Sequence, residues 1–298
     1  MFSSAIVLAS LLVFQAEASA PPPSSEDGAV QLEDVIVDGR RVDRRVASFL
    51  DQVVEAPSGR GPARWRDNIC IGVANIQREA AQFMVDRISD IAFDLGLNPG
   101  EPGCQANVLI IGSSDGAELA RGLVAAKPNT FWPGGSGMNL SRAALAAFQT
   151  GETPVRWWHV SAPVDANTGQ LATRLPGEDA PTISRTTSGR LRTQIRNDLN
   201  RVIVIVDVPR SEGLNFAQLS DYVAMAAFSQ VDPDADASNY DSVLNLFRDP
   251  VGVEGLTAWD RAYLTALYSA ELNQSASSHQ LGEIGRLMQQ TRTRSESD

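Results

Sequence analysis

The chain has 298 residues, 43% of them hydrophobic, enough to bury one good-sized core. Its 25 basic against 36 acidic residues leave a net charge of −11, which argues against nucleic acid as a partner and against electrostatic attachment to anionic lipid. With His159 and His279 as its only histidines, and Cys70 and Cys104 as its only cysteines, the chain has few soft or imidazole ligands for a metal.

Residues 1–20 read as a secretory signal peptide. A short apolar core over 5–14 is followed by Ala16-Glu17-Ala18 and Ala18-Ser19-Ala20, both small-x-small cleavage sites. No other run reaches the ~18 apolar residues of a membrane span. The expected mature chain is therefore periplasmic or extracellular, with no transmembrane segment. In that compartment Cys70 and Cys104 are expected to form a disulfide. It would close a loop of about 35 residues, which the chain-entropy model values at roughly 3–4 kcal/mol.

Past the signal, Pro21-Pro22-Pro23-Ser24-Ser25 opens a flexible lead-in. It carries a short strand over 30–37, by period-two alternation, and a helix over 45–54. A linker, Ala56-Pro57-Ser58-Gly59-Arg60-Gly61-Pro62, ends it. The main domain begins near Trp65. Residues 70–74 predict a strand, 78–95 an amphipathic helix with Phe83, Met84, Ile88, Ile91 and Leu95 on its apolar face, and 108–111 the next strand. A helix over 116–126 ends at Pro128, a Gly-rich loop spans 133–137, and a short helix covers 142–148. Residues 155–160 predict a strand, 165–189 a hairpin or long surface loop, and 190–200 a helix. Val202-Ile203-Val204-Ile205-Val206-Asp207, apolar on both faces, predicts a central strand.

The C-terminal third then runs helix, turn, helix. The first helix contains Asp221, Tyr222, Met225 and Phe228. The turn reads Tyr240-Asp241-Ser242-Val243-Leu244-Asn245. The closing helix reads Leu256-Thr257-Ala258-Trp259-Asp260, continuing to Leu267-Tyr268, with Thr257 as N-cap and Asp260 at the positive helix end. In this order and these motifs the chain resembles the metzincin-type zinc peptidases, whose active-site helix is followed by a Met-turn and a helix of that pattern. More closely, it resembles a group of uncharacterised exported proteins of Gram-negative bacteria, a group that brings no established substrate. The resemblance implies an α+β, zincin-like fold: a mixed β-sheet packed with helices, with a degenerate active-site helix and a C-terminal cap helix.

That helix contains no His, whereas a zincin needs two imidazoles one turn apart with a Glu between them. Tyr222, Ala224, Met225 and Phe228 occupy the positions instead, and Leu244 stands where the Met would be. Neither metal nor cofactor is expected. The reading is a non-catalytic envelope protein, binding or structural, whose partner is another envelope protein or a cell-surface component.

A second reading comes from Gly112-Ser113-Ser114-Asp115-Gly116, a G-x-S-x-G between a strand and a helix, the setting of a nucleophile elbow. Ser114, Asp207 and His279 would then be a serine hydrolase's catalytic residues. The competing structural reading is a turn in which Ser113 or Ser114 caps the next helix. Asp232-Pro233-Asp234-Ala235-Asp236 alternates oxygens as a calcium loop does, but lacks the Gly at the sixth position and the bidentate Glu at the twelfth, so an acidic turn is expected. His159, in an aromatic strand, reads as a hydrogen-bonded core residue. The chain thus divides into a signal peptide (1–20), a lead-in (21–62), a zincin-like α+β domain (63–271), and a C-terminal helix with polar tail (272–298).

Overall fold

At the centre of the computed structural model lies a four-stranded mixed sheet. Its strands are β2 (Ile71–Ala74), β4 (Val108–Ser113), β6 (Ile195–Asp207) and β5 (Val155–Asp165), in that spatial order. β2, β4 and β6 run parallel, and β5 closes one edge antiparallel to β6. A two-stranded parallel patch, β1 (Asn68–Ile69) with β3 (Asn98–Pro99), lies beside them. The structure describes residues 41–57, 60–66, 68–134, 138–173 and 192–295. The expected signal peptide, the strand over 30–37 and most of the 165–189 stretch fall outside them. Residues 41–298 group as one unit.

The mixed sheet together with its helices makes the fold α+β, and helices cover both faces of the sheet. On one face lie α1 (residues 41–53), α2 (Arg78–Asp94), α6 (Phe216–Phe228), α7 (Ala258–Ser269) and α8 (Ser277–Ser295). On the other lie α3 (Gly116–Ala126), α4 (Pro128–Phe131) and α5 (Arg142–Thr150), over Trp158, Val160, Ile203 and Ile205. The alternating residues of β5 and β6 feed both cores, as a strand of period two requires.

Local chemistry accounts for the element ends. Ser141 caps α5, and Asn215 with Gln218 makes a capping box on α6. α3 starts differently from expectation: Asp115, not Ser113 or Ser114, is its N-cap, accepting from Glu118 N at 2.8 Å. The Ser113 hydroxyl instead donates to Asp115 O at 2.8 Å. A carboxylate satisfies a helix N-terminus at least as well as a hydroxyl and adds favourable charge there.

A second correction concerns the helix expected over 190–200. From Ile195 onward the chain is strand, continuous with the central run as β6. β5 is longer than expected, and its outer half, Ser161–Asp165, pairs with Ile195–Leu199 beyond a bulge at Val160/Ser161. Tertiary pairing outweighs the polar composition. Arg196 and Asp198, which share one strand face at i and i+2, satisfy each other through two hydrogen bonds of 2.8 and 3.0 Å. The α2 stripe is also narrower than expected: Met84, Ile88 and Ile91 are buried, but Phe83 is 43% exposed.

Cys70 and Cys104 form a disulfide with a Cα separation of 5.9 Å. It joins the chain just before β2 to the chain just before β4, across the α2 crossover. α1 and α8 both enter the main core, through Val46, Phe49, Leu50 and Val53 on one and Ile284 and Met288 on the other. Among the described residues no helix is long and apolar enough to cross a membrane.

Candidate functional site

α6 follows the central strand β6 and is the most enclosed helix of the molecule's described part: every residue from Gln218 to Phe228 is buried. Its sequence, Phe216-Ala217-Gln218-Leu219-Ser220-Asp221-Tyr222-Val223-Ala224-Met225-Ala226-Ala227-Phe228, is apolar nearly all round, as a helix wrapped by protein on every side must be. Tyr222 sits between Trp157 of β5 and Phe247, with ring centroids 6.0 and 5.0 Å away, both edge-on. Burial pushes its hydroxyl well above the ordinary tyrosine range. Met225 and Phe228 have no exposed surface.

Asp221 is the one carboxylate of this helix, and it is saturated. Arg87 of α2 clasps it in a two-pronged pair, Nε to Oδ1 at 2.5 Å and Nη2 to Oδ2 at 2.9 Å, and Leu256 N donates to Oδ2 at 2.8 Å. A planar guanidinium suits this fork, and charge-assisted bonds of this kind are the strong ones. Gly255 lets the chain pass: a Cβ there would lie 2.3 Å from Asp221 Oδ2. Nothing in the sequence marked Arg87, because its partner is more than a hundred residues away on a different helix.

The turn and the closing helix are joined by a second buried carboxylate. Val243–Asn245 form a 3-10 turn capped by Ser242, and Leu244 is half-buried within it. Thr257 caps α7 in a capping box with Asp260. Asp260, with no exposed surface, also accepts from the Ser242 hydroxyl at 2.6 Å and from Val243 N at 2.7 Å. Burial raises its pKa to about 6 despite these donors. Asp260 is thus a fastener between turn and helix. Trp259 of the same helix packs edge-on against Phe49 of α1.

Ser114 and Asp207 come together. Both line a cavity of about 570 Å³ beyond the C-terminal ends of β4 and β6, with Arg121, Arg156 and Arg210. Asp207 Oδ2 accepts from Gly116 N at 3.1 Å, and Arg210 Nε lies 3.6 Å from the same oxygen. His279 is elsewhere. Its neighbour Gln280 donates to Pro62 O at 2.9 Å, and Arg64, two residues on, bridges Asp198. Asp198 and Asp207 are separated by most of β6, roughly 30 Å at about 3.3 Å per residue. His279 therefore lies by the opposite end of that strand from Ser114.

His159 is buried, with Nε2 2.7 Å from Ala226 O. In the acidic turn, Asp234 N donates to Asp232 Oδ1 at 2.9 Å, and Asp236 pairs with Arg248 at 2.8 Å, which with its hydrogen bonds holds its carboxyl below the usual range. Among the described residues no three His, Cys, Asp or Glu side chains gather closely enough to hold a metal ion. Compared with known proteins, the chain matches no family model, no curated protein and no solved structure.

Proposed function

We propose that this protein is an exported, non-catalytic envelope protein built on a zincin-like scaffold, with a binding or structural role toward another envelope or cell-surface component. The observation that carries the reading is the enclosure of α6. Where a metallopeptidase would expose two imidazoles and a carboxylate to a substrate cleft, this helix buries Tyr222 between Trp157 and Phe247 and commits Asp221 to Arg87. The order β6, α6, 3-10 turn and capped α7 supports the scaffold. The Cys70–Cys104 bridge supports export, since such bonds persist in oxidising compartments. The test is metal analysis and a peptidase assay on the mature protein. Substoichiometric zinc and no chelator-sensitive cleavage are expected; one zinc per chain, or cleavage lost on chelation, overturns the reading.

The second reading, a serine hydrolase at Ser114, is favoured by one observation: Ser114 and Asp207 share a cavity. That chemistry also needs a base within about 3 Å of the hydroxyl. His279 belongs to the other end of β6, and Asp207 is engaged by Gly116 N and Arg210. The non-catalytic reading is the better supported of the two.

A further inference from the structure

A cavity of about 510 Å³ lies against β5, between α5 and the chain at 232–234. It meets the Ser114 cavity only at Thr150, Gly151 and Arg156. Its chemistry is set by Glu55, Asp232, Asp234, Trp157, Trp158 and His159.

The three carboxylates are brought there by backbone pairing between distant segments. Val54 bridges Val231 in antiparallel fashion, Glu55 N donates to Gln230 O at 2.9 Å, and Asp232 N donates to Val53 O at 2.9 Å. Asp234 follows through the turn that Asp232 caps. Among the described residues none of the three has an ion-pair partner. The charges are felt: burial, then Asp232 and Asp234, push the Glu55 carboxyl up to about 7. Among the described residues Arg156 is the one cation of the lining, and its Nη1 and Nη2 are turned to Phe148 O at 2.9 Å and Gly151 O at 2.6 Å.

An independent observation comes from His159, which is 3% exposed. A carbonyl oxygen only accepts, so Nε2, 2.7 Å from Ala226 O, carries the proton. Burial lowers the ring's pKa to about 4, which keeps it neutral. Nδ1 is left with a lone pair and no partner among the described residues, on a ring that lines the cavity. The two indoles add no donor, since Trp157 Nε1 donates to Val231 O at 3.0 Å and Trp158 Nε1 to Phe131 O at 2.9 Å. Beside the aromatic surface, then, the carboxylates and the imidazole left unpaired are all acceptors, while the Nε of Arg156 is a buried donor without a partner among the described residues.

We propose that this cavity binds an organic cation, a guanidinium or alkylammonium group, with Glu55, Asp232 and Asp234 as counter-charges, His159 Nδ1 as an acceptor, and Trp157 and Trp158 as its apolar wall. An extended cation with several N–H donors fits carboxylates spread along a cavity, whereas a divalent metal needs them gathered on one point. Indole surface favours a weakly hydrated cation for the same reason it attracts arginine. The inference names a ligand class for the binding role proposed above and rests on that reading. The same chemistry can come from a free amine or from an arginine or lysine side chain of a protein partner.

The experiment titrates the mature chain, by calorimetry and tryptophan fluorescence, with agmatine, with the tripeptide acetyl-Gly-Arg-Gly-amide, and with the neutral citrulline tripeptide. Saturable binding of a cationic probe is expected, with none of the citrulline tripeptide. Stronger binding of the arginine tripeptide assigns the site to a protein side chain; stronger binding of agmatine assigns it to a free amine. Affinity should fall roughly tenfold in Glu55→Gln/Asp232→Asn, from loss of charge-assisted bonds. It should be unchanged in Asp236→Asn, which removes the same kind of charge outside the cavity. If the double variant does not fold, Glu55→Gln alone is read. Failure of both cationic probes to saturate at millimolar concentration, equal binding of the citrulline tripeptide, or equal loss in Asp236→Asn overturns the proposal. The two readings fail separately: peptidase activity with intact cation binding would overturn the non-catalytic role alone, and an inactive, zinc-free chain that ignores both probes would overturn the site alone.

Discussion

Two groups of carboxylates divide this molecule. Asp221 and Asp260, on the face of the sheet that carries α6 and α7, are buried and occupied by donors: Arg87 and Leu256 N on one, Ser242, Thr257 and Val243 N on the other. Glu55, Asp232 and Asp234, at the edge marked by β5, are grouped with no ion-pair partner among the described residues. Charge that is fully paired has been spent on holding elements together. Charge left unpaired beside open space costs the fold something, and its natural compensation is a ligand.

The sharpest way to break the contrast is Asp221→Ala. It leaves a half-buried guanidinium and a buried N–H without their acceptor, and an unsatisfied buried group typically costs about 1–3 kcal/mol. Urea denaturation of the variant measures this; a loss below about 1 kcal/mol would mean that Asp221 is not the fastener described. Next in size is the pH dependence of Glu55. Its folded pKa of about 7 lies above its ordinary 4.5, so the folded state holds a proton that the unfolded chain has lost in between. Stability therefore rises as pH falls from 8 to 6.5, and Glu55→Gln should flatten that slope in a thermal melt. Below pH 6.5 the trend is contested. Asp260, raised to about 6, acts in the same direction, while His159, lowered to about 4, destabilises the fold as the unfolded imidazole gains its proton. The His159 contribution is common to both proteins, so the difference in slope between the unmodified chain and Glu55→Gln reads Glu55 alone. The smallest effect is expected at Ser114→Ala, within about 0.5 kcal/mol. The unmodified chain should take up no fluorophosphonate probe; labelling that disappears in this variant would bring catalysis back.

Local grammar made much of the fold legible. The helix over 116–126 and the Thr257 cap with Asp260 follow from spacing and capping residues, and both are found. The α+β class follows from the same elements. What sequence could not give was long-range pairing. The outer half of β6 looks helical in isolation because Arg196, Asn197 and Asp198 are polar; it is a strand because β5 extends to meet it. The fully buried character of α6 could be read from its apolar residues, but not Arg87 as the partner of Asp221. Glu55 was no more visible, since the cavity exists only once residues 53–55 lie along 230–232. Chain order alone groups Ser114, Asp207 and His279; the pairing of β4 with β6 is what sets Ser114 and Asp207 along one cavity, and His279 lies elsewhere.

Trp259 has Arg45 of α1 on it at 5.4 Å and Arg292 of α8 at 4.7 Å, and Gly285 of α8 lets that helix approach Val46 and Leu50 of α1. The first and last helices of the described unit are therefore latched over one indole. Trimming either end uncovers the same patch, so a shortened chain is a poor choice for expression from both directions. By the same adjacency, a brief linker could join the two ends and new ends could be opened in a surface loop, a circular permutation that keeps the latch intact.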